Sequence, residues 1–241
     1  CGGHEAILPP SCTPGDLARP DLWPSLLSMS RTSLAHSERR ALADLFDTVG
    51  PDAPTLCAGW DTRDLAAHLV VREARPDAAI GIVVPALAGW TDKVQAGAAQ
   101  QPYPELVDKV RSGPPRLSFF AVPGVDAMAN TMEYFIHHED VRRAQPEWAP
   151  RDLPDAARTE LWRQLRRSSK MLLRNSLVKV FMQPTDVPGY EPTESPETSV
   201  TLRGPVAEIA LHLYGRDATL GLDILGRPED VARYLDSSRG V

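Results

Sequence analysis

Hydrophobic positions recur at helical spacing through the first two thirds of the chain. Leu34, Ala41, Leu42, Leu45, Phe46 and Val49 form one stripe, which Gly50-Pro51 closes. Asp61 or Thr62 caps a second helix near residues 61–75, with Leu65, His68, Leu69 and Val71 or Arg72 toward one side and Pro76 at its end. The alanine- and valine-rich stretch 77–90 reads as a buried helix continuing past a kink at Pro76. Residues Tyr103 to Arg116 supply a third bundle helix with Leu106 and Val110 inward, and residues 125–144 a fourth. Beyond Pro146, Pro150 and Pro154 an amphipathic helix runs to about Arg174, and then the period changes. Leu177–Met182, Ser199–Leu202 and Thr219–Leu225 read as strands, and Pro205–Tyr214 and Pro228–Leu235 as helices. The proline-, glutamate- and threonine-rich segment Gln183–Glu197 between the first two strands reads as a mobile, hairpin-like excursion. The pattern predicts a mainly α protein: a four-helix bundle over residues 29–150, a connecting amphipathic helix over 151–175, and a small α/β domain over 176–241.

Polar residues on the apolar stripes point to chemistry. In Asn130-Thr-Met-Glu133-Tyr-Phe-Ile-His137-His-Glu-Asp140, Glu133 and His137 lie one turn apart on the face of Ala129, Ile136, Asp140 and Ala144, and His138 points away. A carboxylate and an imidazole on such a face need partners. A local hydrogen-bonded pair, a salt bridge to another helix and a shared cation all provide them. His68, beside the stripe of the second helix, completes a set of two nitrogens and one oxygen that suits zinc or a similar divalent ion and leaves coordination positions open.

Cys57-Ala-Gly-Trp60, Asp64-Leu-Ala-Ala-His68-Leu and Glu133-Tyr-Phe-Ile-His137-His-Glu-Asp140-Val-Arg-Arg together resemble the metal-binding domain of mycothiol-dependent maleylpyruvate isomerases, within the DinB-like superfamily of four-helix bundles. The resemblance covers roughly residues 30–145, with a weaker echo around Gly204–Arg216, and is nearest an uncharacterised subgroup. It implies a metal held by His68, Glu133 and His137, most readily Zn2+, and mycothiol as a thiol cosubstrate. It also implies an active-site arginine from the C-terminal module, a role that falls on Arg216. The activity implied is isomerisation or thiol transfer on a small electrophilic substrate through a metal-bound thiolate, and a noncatalytic metal-binding or stress-response module of the same fold is the alternative.

The remaining residues have plainer readings beside the chemical ones. Asp140 either orients His137 from behind or pairs with Arg142 or Arg143 on the surface. Asn130 either holds the Glu133 carboxylate or makes an ordinary helix contact. His138 and His36 read as surface histidines, and His212 as a packing residue. Cys57 reads as a small buried hydrophobe in preference to a nucleophile, and Trp60 as a hydrophobic staple. Arg216 also fits a cation at a helix C-terminus. Arg163, Arg167, Lys170 and Arg174 line a solvated face.

Composition narrows the field. At 241 residues with 42% hydrophobic content the chain can bury a substantial core, and no run of about eighteen apolar residues suggests a membrane span. A net charge of -6 argues against a general nucleic-acid binder. With only Cys1, Cys12 and Cys57, a disulfide framework is not expected and a reducing cytoplasm is. The proline-rich residues 1–28 read as disordered or as an upstream extension before Met29. No phosphate loop, Gly-x-Ser-x-Gly elbow or paired-cysteine zinc motif is present.

Overall fold

Ser33 caps the first helix by accepting the His36 N–H at 3.2 Å, and the chain then alternates helices with short connections in a computed structural model that describes residues 33–74, 88–115 and 125–237. The expectations for residues 1–28, and for the part of 77–90 before Ala88, lie outside the described residues. Eight helices are present among the described residues: α1 (Leu34–Val49), α2 (Thr62–Ala74), α3 (Ala88–Ala99), α4 (Tyr103–Ser112), α5 (Val125–Arg143), α6 (Asp155–Leu172), α7 (Val206–Leu213) and α8 (Pro228–Leu235). Three strands, β1 (Lys179–Pro184), β2 (Ser199–Gly204) and β3 (Asp223–Leu225), make one small sheet in the order β1-β2-β3. The architecture is mainly α with a small α/β region near the C-terminus. No helix among the described residues is long and apolar enough to cross a membrane.

Helix limits follow local chemistry. Asp61 Oδ1 accepts the Asp64 N–H at 2.9 Å and so starts α2. Helix α4 stops at Ser112, short of the expected Arg116, because Gly113 turns the chain at φ 80° and two prolines follow. A Cβ at Gly113 would also meet the Arg39 guanidinium at 3.4 Å. Helix α3 was not anticipated as a separate element. Its Ala-Gly-Trp-Thr-Asp-Lys-Val-Gln-Ala-Gly-Ala-Ala sequence has no strong apolar stripe, and small side chains such as Ala98 and Ala99 make its buried contact.

Two apolar cores result. One joins Leu42 and Phe46 of α1, Leu65 and Leu69 of α2, Leu106 and Val110 of α4, and Tyr134 and Val141 of α5. The other takes Met132, Phe135 and Ile136 from α5 and packs them with Leu161 and Leu165 of α6, Val200 and Leu202 of β2, and Ile209 of α7. Helix α5 therefore serves both cores, which leaves only a narrow polar strip for Glu133 and His137. The segment Gln183–Glu197 is not a hairpin. Strands β1 and β2 are parallel, with Lys179 opposite Ser199 and Pro184 opposite Gly204, so the intervening chain must cross over to restart at the same end of the sheet. Strand β3 pairs antiparallel to β2 and is shorter than its predicted span because pairing covers only Asp223–Leu225.

Buried ion pairs fix α5 against its neighbours. Arg143 donates to Glu139 at 2.6 Å and in a fork to Glu208 of α7 at 2.6 and 2.8 Å. His138, expected at the surface, is only 6% exposed, because Glu38 of α1 faces it across the bundle with its carboxylate 2.8 Å from Nδ1. Arg151 spans Glu38 and Glu139. Burial alone would raise both carboxyls. The hydrogen bonds and charges of His138 and Arg151 around Glu38, and of Arg151 and Arg143 around Glu139, outweigh it and hold both below 4.5. A depressed folded-state pKa gives stability that is present above the unfolded value and lost as pH falls toward the folded one. Unfolding free energy of the metal-free protein, measured in urea, is therefore expected to be insensitive to these groups above pH 4.5 and to decline below it. A decline confined to pH 6–7 would contradict this assignment.

Candidate metal centre

The loop Pro51–Trp60 folds back on the bundle before α2 begins. Thr55 Oγ1 donates to the Trp60 carbonyl and accepts the Cys57 N–H, and the Leu56 N–H donates to the Asp140 carbonyl of α5 at 3.0 Å. This stitching sets Cys57 and Trp60 at the mouth of α2. Nearly two turns into α2, His68 points at α5, where Glu133 and His137 stand one turn apart.

His68 Nε2 lies 3.2 Å and His137 Nε2 3.4 Å from the same atom, Glu133 Oε1. The two imidazole rings meet edge to face with centroids 5.5 Å apart, and the three ligand-type atoms all fall within 4.8 Å of one another. Both histidine side chains are 12% exposed and Glu133 is 23% exposed, so the cluster is enclosed yet reachable. Burial would push the Glu133 carboxyl up. Hydrogen bonds from His137 and His68, with the charge of Arg72, instead hold it well below 4.5.

His137 is oriented from behind. Its Nδ1 lies 2.9 Å from Asp140 Oδ2, and Asp140 is fully buried. Burial would lower the His137 pKa, but Asp140, Cys57 and Glu133 outweigh it and raise it well above 6.5, and the ring lies between the Asp140 and Glu133 carboxylates. Asp140 is itself gripped by a fork from Arg216, Nε to Oδ1 at 2.8 Å and Nη2 to Oδ2 at 2.7 Å. Against the upward pull of burial, Arg216 and His137 bring its carboxyl down to about 2. Asp140 contacts His137 and Arg216, whereas Arg142 and Arg143 bind Glu139. A proton kept on Nδ1 toward Asp140 would leave Nε2 able to offer its lone pair to an ion, the usual outer arrangement of a metal-bound histidine. The donor set of two imidazole nitrogens and one carboxylate oxygen fits a divalent ion such as zinc.

A cavity of about 670 Å³ opens above the cluster. Its walls come from Cys57 and Trp60 in the loop, Ile136 on α5, and Tyr214 to Ala218 beyond α7. The C-terminal segment is carried there by the Glu208–Arg143 fork and by Arg143 donating to the Ala218 carbonyl. Trp60 packs on the bundle core, as expected of a staple, and its ring also stacks at a tilt on His68 with centroids 5.0 Å apart. Cys57 packs on that core too, but it is more than a small hydrophobe. Its thiol donates to Asp140 Oδ2 at 3.2 Å and lies 3.7 Å from His137 Nδ1 and 3.8 Å from Arg216 Nη2, because the loop sets it at the edge of the core, beside the site. A larger cleft of about 870 Å³ runs between α2, α3 and α4, but Glu73 at its base is already held in a fork by Arg39, and among the described residues no histidine or cysteine lines it.

Asn130 accepts from Arg72 and donates to Glu73 at 2.8 Å, so it meets the site through Arg72. Arg72 Nε is 3.3 Å from Glu133 Oε1. Its signal in the sequence is spacing alone: it follows His68 by four residues and shares its face. His36 is exposed, and His212 packs against Tyr234 inside the C-terminal region, both as expected. Arg163, Arg167, Lys170 and Arg174 all face solvent.

Residues 33–119 match the family model described as the mycothiol maleylpyruvate isomerase N-terminal domain. The matched segment carries His68 and bears out the resemblance there; Glu133 and His137 lie beyond it. No curated protein and no solved structure matches.

Proposed function

We propose that this chain binds a divalent metal, most readily zinc, and uses a low-molecular-weight thiol, by its similarity mycothiol, as a cytoplasmic isomerase or S-transferase of a small electrophile. The observation that carries this reading is the convergence of His68 and His137 Nε2 on Glu133 Oε1 beneath a cavity large enough for a small thiol and its partner. His68, Glu133 and His137 would hold the ion. When bound, it supplies a Lewis acid that favours the ionised form of a thiol.

The chain's own residues do the rest. Asp140 keeps the proton on His137 Nδ1, and Arg216 keeps Asp140 ionised. Trp60, Ile136 and Tyr214 wall the cavity with apolar surface and so limit water around the reacting atoms. Arg216 spends most of its fork on Asp140 and on the Tyr214 carbonyl, so its part is chiefly positional. An N–H left over at the cavity edge would steer an anionic substrate group. An isomerase would release the thiol after reversible addition to a conjugated double bond, and a transferase would leave it attached.

The test is metal analysis of the purified full chain followed by calorimetric titration of mycothiol into the zinc-loaded protein. Near-stoichiometric metal with thiol binding that chelation abolishes is the expected result. Metal without thiol binding would overturn the thiol chemistry and favour a noncatalytic metal-binding module of the same fold. A protein that stays metal-free on reconstitution would overturn the site.

A further inference from the structure

We infer that Arg72 is a built-in competitor for the cation at Glu133, an assignment that rests on the metal-binding reading above. Outer partners of a metal ligand ordinarily grip the part of the side chain that faces away from the ion, as Asp140 grips Nδ1 of His137. Arg72 differs. Its Nε sits 3.3 Å from Oε1, the oxygen on which both imidazoles converge and the one a shared ion would use. The imidazoles can release a proton from Nε2 and offer a lone pair in its place. A guanidinium cannot, so a divalent ion at Oε1 must share that atom with a full positive charge.

Arg72 is not placed to step aside. It donates to Asn130 Oδ1, Asn130 donates to Glu73 Oε1 at 2.8 Å, and Glu73 is held by both Nη atoms of Arg39 at 2.6 and 2.7 Å. Arg39 also donates to the Tyr134 hydroxyl at 2.7 Å. Asn130, Glu73 and Arg39 are all buried, so withdrawing Arg72 would break a satisfied internal network. The consequence has two sides. Without metal, Arg72 supplies the countercharge that a largely enclosed carboxylate requires, and the empty bundle stands. With metal, the same charge lowers affinity, and because coupling is reciprocal the ion weakens the Arg72–Glu133 contact by the same factor. The geometry therefore describes a site whose affinity for a divalent ion Arg72 holds below what His68, Glu133 and His137 alone would give.

The experiment is zinc affinity by chelator competition for the full-length wild type, Arg72→Gln and Arg72→Lys, with thermal midpoints recorded with and without zinc. Removing one screened charge beside the ion is expected to tighten zinc binding by about tenfold in Arg72→Gln. Arg72→Lys retains the charge and is expected to stay within about threefold of wild type. Metal-free Arg72→Gln should melt below metal-free wild type and gain more from zinc, and a variant that folds only with zinc present would be the extreme form of that result. Affinity in Arg72→Gln equal to or weaker than wild type would overturn the inference and make Arg72 an ordinary support of the ligand. Equal tightening in Arg72→Lys would also overturn it. A wild type that takes no zinc would bring down the metal reading itself, a failure seen before any variant is compared.

Discussion

Replacing His137 with alanine is expected to lower zinc affinity by more than about a hundredfold, beyond the ten- to hundredfold typical of losing an outer partner. The substitution removes one of the two imidazole nitrogens that meet at Glu133 Oε1, and it also removes the ring that Asp140 holds. Asp140→Asn should give the smaller, outer-partner loss. It keeps a side chain beside Nδ1 but surrenders the charge that fixes the ring's proton and that Arg216 grips. Chelator competition on both variants, with circular dichroism to confirm that the helices remain, would measure the two steps. Equal losses would mean that His137 contributes only through Asp140. Wild-type affinity in His137→Ala would remove it from the ligand set.

Arg143→Ala is expected to destabilise the fold by about 3–5 kcal/mol, the usual cost of stranding a buried charge. Here two carboxylates, Glu139 and Glu208, each about 1% exposed on the side chain, lose their shared partner. The Trp148 ring also loses the guanidinium 4.6 Å above it, and the Ala218 carbonyl loses its donor. Such a cost is a large part of the roughly 5–15 kcal/mol that holds a typical domain folded. Because Arg143 also carries the segment bearing Arg216 to the cavity, the loss should reach the His68, Glu133 and His137 cluster. A urea midpoint measures the stability, and zinc affinity of the folded fraction measures the second effect. The double variant Arg143→Met/Glu208→Leu should recover most of the loss, since Glu139 keeps Arg142 and Arg151 and Glu208 is the carboxylate left without an arginine. A midpoint for Arg143→Ala within about 1 kcal/mol of wild type would show that the fork is not a principal tie between α5 and α7.

Local periodicity made much of this molecule legible. The stripes of Leu42 and Phe46, of Leu65 and Leu69, and of Leu106 and Val110 mark helices because side chains three and four apart must share a face, whatever lies opposite. The same rule sets Glu133 and His137 side by side and marks His68 as a polar residue on a packing face. Turn chemistry placed the ends of α2 and α8, where Asp61 and Pro228 start their helices. These are features that a few neighbouring residues decide among themselves.

Partners distant in sequence are another matter. His138 looked like a surface residue because its own helix turns it away from His137. Only the approach of α1, with Glu38 opposite, buries it. The parallel pairing of β1 with β2 depends on how the chain returns across the sheet, and the composition of the connecting segment contains no such information. Cys57 joins the site because the Leu56 N–H reaches the Asp140 carbonyl, a contact across 84 positions that no helical period encodes. Sequence by itself determined which residues could offer a lone pair to an ion and which helix face each would occupy, because those depend on side-chain chemistry and the pitch of one helix. The tertiary structure decided that His68 meets Glu133, that Arg216 holds Asp140 and that Arg72 reaches the Glu133 oxygen on which both imidazoles converge, because each depends on packing between helices whose approach is set by the whole core.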